Sequence, residues 1–86
     1  MIVLDASAVI ALIREEPGAT FVETAVFEDQ SIMSAVNYSE TLQKLARLGV
    51  DRDFVEEAIN DFEIVIASLN QPLARLLPIF TDTVQD

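Results

Sequence analysis

The chain has 86 residues, with fifteen acids against five bases and a net charge of −10. It carries neither Cys nor His, which excludes disulfide scaffolds, structural zinc sites, Ser-His-Asp and Cys-His triads and any imidazole base. The acidic balance argues against a protein that coats DNA through clustered Lys and Arg. Chemistry is left to carboxylates, hydroxyls, amides and a few cations. Hydrophobic residues make up 51%, too many for an intrinsically disordered chain. The length allows one small domain, residues 1–86. The apolar start has no basic residue ahead of it and is interrupted by Asp5, so it does not read as a signal peptide. No stretch reaches the roughly 18–20 apolar residues of a membrane span. A soluble cytoplasmic protein with no membrane partner is the expectation.

Residues 1–4 form a short apolar run with β-branched members, the pattern of a strand in a parallel sheet. Asp5 ends it, and Ser7 is the expected cap of a helix over 8–14. Glu15-Glu16-Pro17-Gly18 then breaks the chain. Thr20 with Glu23 predicts a capping box for a helix over 20–28, with Phe21, Val22, Ala25 and Val26 on one face. Residues 31–34 are a weak strand candidate. A helical pattern follows over 36–48, with Tyr38, Leu42 and Leu45 sharing a face and Gly49 placed to end it. Asp51 can cap a helix over 52–61 whose apolar set is Phe54, Val55, Ala58, Ile59 and Phe62. Residues 64–67 are a clear strand. Asn70 and Pro72 then open a helix with Leu73, Leu76, Leu77 and Phe80 as its stripe, before a polar tail over 81–86. The order β-α-α-β-α-α-β-α predicts an α/β fold with a short parallel sheet.

Asp5 stands at the carboxyl end of the first strand, the edge where open parallel sheets bind ligands. It either caps the next helix or holds a hard cation through oxygen. Glu40 either pairs with Lys44 on a solvated helix face or points toward Asp5, since neighbouring parallel strands end on the same edge. Lys44 and Arg47 form a small basic stripe, read as solvated surface or as a phosphate-attracting strip beside two carboxylates. Ser7 and Asn37 are ordinary residues near helix starts that could also support Asp5 or a phosphate. Residues 51–63 carry six acids against Arg52, a solvated face or a dock for a basic segment.

Ile2-Val3-Leu4-Asp5-Ala6-Ser7-Ala8, followed by Ile10-Ala11-Leu12, resembles the first motif of PIN-domain nucleases. Ser34-Ala35-Val36-Asn37-Tyr38-Ser39-Glu40, leading into Leu42-Gln43-Lys44-Leu45, resembles their second. The match looks closest to VapC-type toxins of bacterial toxin–antitoxin pairs and continues to about Pro78. It implies a three-layer PIN-like fold, here truncated at the C-terminal end, since the family's later part supplies a third acid, often a fourth, and two more strands. It also implies an endoribonuclease, a hydrolase dependent on Mg²⁺ or Mn²⁺, with Asp5 and Glu40 as matching catalytic metal ligands. Ser7, Asn37, Lys44 and Arg47 would support the ligands or bind RNA. A basic antitoxin is the implied protein partner. In such a fold the first strand pairs with a later one, so its absence leaves an edge that a second chain would cover, giving a homodimer. The alternative is a non-catalytic PIN-like module that only binds a basic antitoxin. A receiver-type nucleotide-binding module fits less well, because there is no Gly-rich phosphate loop and no second acid beside Asp5.

Overall fold

The computed structural model describes residues 1–67. Its elements are β1 (Ile2–Val3), α1 (Ala6–Arg14), α2 (Ala19–Glu28), β2 (Ser31–Ser34), α3 (Ala35–Arg47), α4 (Arg52–Asp61) and β3 (Ile64–Ala67). The sheet is parallel, in the order β1-β2-β3. Ile2 lies beside Ser31, which lies beside Ile64; Val3, Ile32 and Val65 form the next row. The α/β architecture read from the sequence is the one observed. The helix expected over 70–80 and the tail lie outside the described residues.

Both crossovers step in the same direction along the sheet. Right-handed connections therefore put all four described helices on one face. The burial pattern agrees. Ile2, Leu4, Met33 and Ile64 belong to the core, together with Val9, Leu12, Val22, Val26, Leu45, Val55 and Ile59. Val3, Ile32 and Val65 alternate to the other face and are absent from that core.

The helix ends explain how short helices persist. At the end of α1, the Glu16 N–H donates to the Ala11 carbonyl at 3.0 Å while Glu15 takes the left-handed conformation, φ 54°. At the end of α3, the Val50 N–H donates to the Leu45 carbonyl at 2.9 Å around Gly49, φ 83°. Both closures follow the Schellman pattern, and Gly49 was legible as such. Glu15 was not, because a side chain in that conformation is disfavoured. Asp51 caps α4 as expected, accepting from the Phe54 N–H at 3.3 Å.

The expected capping box of α2 does not form. Gly18 is the cap residue, φ 97°, with no side-chain cap bond. The helix starts at Ala19, so Thr20 already lies inside it. Phe21 and Phe54, expected on buried stripes, are exposed. In both helices the buried contacts come from narrower sets, Val22 with Val26 and Val55 with Ile59. A sheet of three short strands is too narrow to cover wider stripes.

Candidate active site

Asp5 leaves β1 with extended backbone, φ −98° and ψ 177°, and begins α1. Its Oδ1 accepts from the Ala8 N–H at 2.9 Å. Asp5, not Ser7, is therefore the cap. The helix begins at Ala6, so the capping oxygen must come from three residues before the Ala8 amide. Ser7 sits exposed in the first turn. Asp5 is only 5% exposed, and its Oδ2 is buried without a hydrogen-bond partner among the described residues. Leaving a carboxylate oxygen buried and unpaired is costly, and such orphans call for a physical cause.

Extending the register from Val3 and Ile32 by two residues puts Asp5 across from Ser34. Ser34 ends β2 and caps α3, its Oγ accepting from the Asn37 N–H at 3.0 Å. The N-termini of α1 and α3 thus open side by side on the carboxyl edge of the sheet, both presenting positive dipole ends. Asn37 is half-buried in the first turn of α3, and its carbonyl accepts from the Thr41 hydroxyl at 2.7 Å. Thr41 is fully buried where α3 meets the core. The roles of Ser34 and Thr41 escaped the sequence reading. Ser34 had a signal, a cap-type residue directly before a helical run.

Glu40 lies five residues into α3, about 7.5 Å along its axis. It borders a hollow of about 400 Å³ together with Val36, Ser39 and Gln43. Its carboxylate is half exposed and faces the Lys44 ammonium at 3.7 Å. The surface pair read from the sequence is thus formed. Lys44 and Arg47 belong to the last turn of α3, the end remote from Asp5. There they complement the negative end of the helix dipole. The structure places Asp5, Asn37 and Glu40 on elements that start at one edge and packs α1 against α3. It carries Lys44 and Arg47 away from that edge.

A carboxylate oxygen without a partner among the described residues, at the ligand-binding edge of a parallel sheet, suits a hard cation such as Mg²⁺ or Mn²⁺, which takes oxygen ligands. Among the described residues no group of three or more acids is gathered to hold one.

A family model described as PIN domain matches residues 2–80 of the chain. The chain belongs to the PIN domain family. The match takes in every described element and both segments that carry Asp5 and Glu40. No curated protein matches the chain. In this PIN domain no helix of the described residues is long and apolar enough to cross a membrane.

Away from this edge, the Tyr38 hydroxyl donates to Glu56 Oε2 at 3.4 Å, linking α3 to α4. Partial burial raises the Tyr38 pKa above its ordinary 10.0, and the nearby Glu56 charge adds to the effect. Asp29 accepts from the N-terminal ammonium at 2.8 Å, and that bond holds its pKa below the ordinary carboxylate value.

Proposed function

We propose that this PIN domain is a metal-dependent endoribonuclease of the VapC toxin type. The observation that carries the reading is the buried Asp5 Oδ2 at the carboxyl edge of the sheet, unpartnered among the described residues. Asp5 and Glu40 would hold Mg²⁺ or Mn²⁺. When bound, the ion supplies activation of water and charge neutralisation at the scissile phosphate. The residues of the chain do the rest. Asp5 Oδ1 stays on the Ala8 amide and fixes the carboxylate in one orientation, leaving Oδ2 as the ligand atom. Ser34 anchors the first turn of α3, which sets the position of Glu40. The paired N-termini of α1 and α3 attract phosphate. Lys44 and Arg47 would draw the RNA backbone toward the acidic body, and the Lys44 ammonium, 3.7 Å from Glu40, would hold that carboxylate in its ionised form. Ser7 and Asn37 border the site as supporting residues.

The same reading includes two protein partners, a basic antitoxin and a second copy of the chain. Ile2 and Leu4 donate their N–H groups to the Gln30 and Ile32 carbonyls, so the backbone of Val3 between them faces away from β2. A second chain along that edge would remove the free strand edge among the described residues. Sedimentation at micromolar concentration tests this, and a strictly monomeric chain rejects the dimer.

Cleavage of RNA with Mn²⁺ tests the catalytic reading. The wild type is expected to cleave, and Asp5→Ala and Glu40→Gln to lose cleavage. Equal cleavage by wild type and Asp5→Ala assigns the activity elsewhere. A second reading, a non-catalytic module that keeps antitoxin binding, is favoured by one observation: Glu40 already spends its charge on Lys44. Calorimetry separates the two. Mn²⁺ binding that disappears in Asp5→Asn supports the nuclease, and no binding at millimolar Mn²⁺ supports the module.

A further inference from the structure

The outer side of α3 carries a hollow to which the metal chemistry assigns no occupant. Its volume is about 400 Å³, and among the described residues Ala35, Val36, Ser39, Glu40 and Gln43 line it. Val36, Ser39, Glu40 and Gln43 recur at helical spacing, so they form one stripe along the helix, and all four are exposed. Glu40 is the proposed metal ligand. Val36 lies about 6 Å from it toward the start of the helix, and Gln43 about 4.5 Å toward the end. Long helical side chains lean back toward the helix start, which brings the Gln43 amide toward Glu40.

Folding accounts poorly for this stripe. Val36 is 62% exposed, and its β-branched side chain lowers helix propensity while burying little in return. Ser39 is a weak helix former inside a helix. The Thr41 hydroxyl is committed to the Asn37 carbonyl at 2.7 Å, whereas the side chains of Ser39 and Gln43 form no hydrogen bond among the described residues. The hollow therefore offers apolar methyl groups, one free hydroxyl and one free amide. Its single charge is the negative one of Glu40, which repels a phosphate and tolerates a neutral group. A nucleobase fits that description: it is uncharged, its faces are apolar, and its edge carries donors and acceptors. Single-stranded RNA is read through such splayed bases and their edges.

We infer that this hollow holds the nucleobase next to the scissile phosphate and that Gln43 reads its edge, with adenine as the base it selects; this rests on the nuclease reading, which puts that phosphate beside Glu40. The Gln43 side chain presents one carbonyl acceptor and an NH₂ donor side by side. Adenine answers with its N6 amino donor beside a ring-nitrogen acceptor, the pairing that Gln makes in a bidentate way. The Ser39 hydroxyl, free to donate or accept, takes a remaining edge atom or the ribose. Val36 and Ala35 pack on the face of the ring. No aromatic residue lines the hollow among the described residues, so the edge contacts rather than stacking carry the discrimination. One ribose links the base to its phosphate, so a base seated on α3 holds that phosphate at the metal ligand on the same helix.

The test uses the full chain and four labelled single-stranded oligoribonucleotides, all uridine except for A, C, G or U at one central position. Cleavage is mapped to the nucleotide in Mn²⁺. Binding of the same oligonucleotides is read by fluorescence anisotropy in EDTA, where no cleavage intervenes. The wild type is expected to cleave next to adenine about tenfold faster than next to the other bases, and to bind the adenine oligonucleotide about fivefold more tightly. Gln43→Ala, an exposed change to a good helix former, is expected to keep the thermal midpoint and to cleave all four alike, within about twofold. Val36→Ser is expected to raise KM for all four while the adenine preference stays. The control Glu57→Gln, on the exposed side of α4, is expected to keep the preference. Adenine-selective binding in EDTA that Gln43→Ala abolishes, together with no cleavage by the wild type in Mn²⁺, rejects the nuclease reading and leaves the base site standing. Cleavage and binding that ignore the base, that select another base, or that keep the adenine preference in Gln43→Ala overturn the inference while the nuclease reading holds.

Discussion

Asp5 and Ser34 occupy matching places on neighbouring strands: each leaves its strand in extended conformation and each caps the helix that follows. Their side chains do the same local work, yet differ in what is left over. Ser34 spends its one oxygen on the Asn37 amide. Asp5 spends Oδ1 on the Ala8 amide and keeps a buried Oδ2 without a partner among the described residues. A serine would have sufficed for the cap at position 5. The second carboxylate oxygen is the surplus that a cap does not explain.

That surplus gives the first prediction. Asp5→Asn keeps a side-chain oxygen for the Ala8 amide and removes an unpaired buried charge, so the unfolding midpoint in urea should stay equal or rise. Asp5→Ala loses the cap as well, and should cost about 1 kcal/mol relative to Asp5→Asn. Both should abolish Mn²⁺ binding in calorimetry. Retained metal binding in Asp5→Asn would leave Asp5 with a structural role only.

The second prediction isolates the partner cap. Ser34→Ala removes the acceptor for the Asn37 amide and should destabilise the chain by about 1 kcal/mol, read by urea denaturation. Because α3 carries Glu40, the same variant should weaken Mn²⁺ binding while leaving both proposed ligands in place. Ser34→Thr restores a capping oxygen without adding a charge beside Asp5 and should recover the stability. A Ser34→Ala variant as stable as wild type would show that the buried Thr41 and Leu45 contacts hold the start of α3 without its cap.

How much of this was readable in advance follows from the kind of signal each residue sends. The strands of β1 and β3 were legible because uninterrupted β-branched runs between breakers have few alternatives. Asp51 and Gly49 were legible because a cap-type residue before a helix and a glycine after one each have a direct conformational cause. Asp5 and Glu40 could be named from motif and topology, since parallel strands end on one edge. The orphaned Oδ2 could not, because it depends on whether Asp5 or Ser7 caps α1, a difference of two positions in the helix start. Phe21 and Phe54 misled the pattern reading because hydrophobic periodicity records what could be buried, while the width of the sheet decides what is.

The third prediction concerns backbone strain. Glu15 holds φ 54° at the end of α1, a conformation that costs an ordinary side chain roughly 1–2 kcal/mol. Glycine removes that cost but loses roughly 0.5–1 kcal/mol through unfolded-state entropy. Glu15→Gly should therefore stabilise the chain by a net amount of about 0.5–1 kcal/mol, measured by urea denaturation. Its side chain forms no ion pair among the described residues, since Arg14 bonds Glu16 instead at 2.8 Å, so no compensating contact is lost. An unchanged or lower midpoint would mean that the left-handed turn is not strained in solution.

The last prediction uses the chain's single tyrosine. With one Tyr and no Trp, phenolate absorbance near neutral to alkaline pH reports Tyr38 alone. Burial first, and the Glu56 charge second, raise its pKa above 10.0. The native chain should therefore titrate later than the same chain in denaturant. A group whose folded pKa is raised contributes stability that is fully present below its unfolded pKa and is lost as pH rises through the folded one. The contribution of Tyr38 should accordingly hold up to about pH 10 and decline above it, as α3 and α4 lose their hydroxyl-to-carboxylate link. Glu56→Gln removes the negative neighbour but leaves the burial, so it should lower the native pKa only part of the way toward the denatured value. It also frees Arg52, whose guanidinium bonds the same carboxylate at 3.0 Å. A Glu56→Gln variant whose tyrosine titrates as in denaturant would make the carboxylate, rather than burial, the dominant cause. A native chain that titrates as in denaturant from the outset would place the hydroxyl in free solvent and remove the link between the two helices.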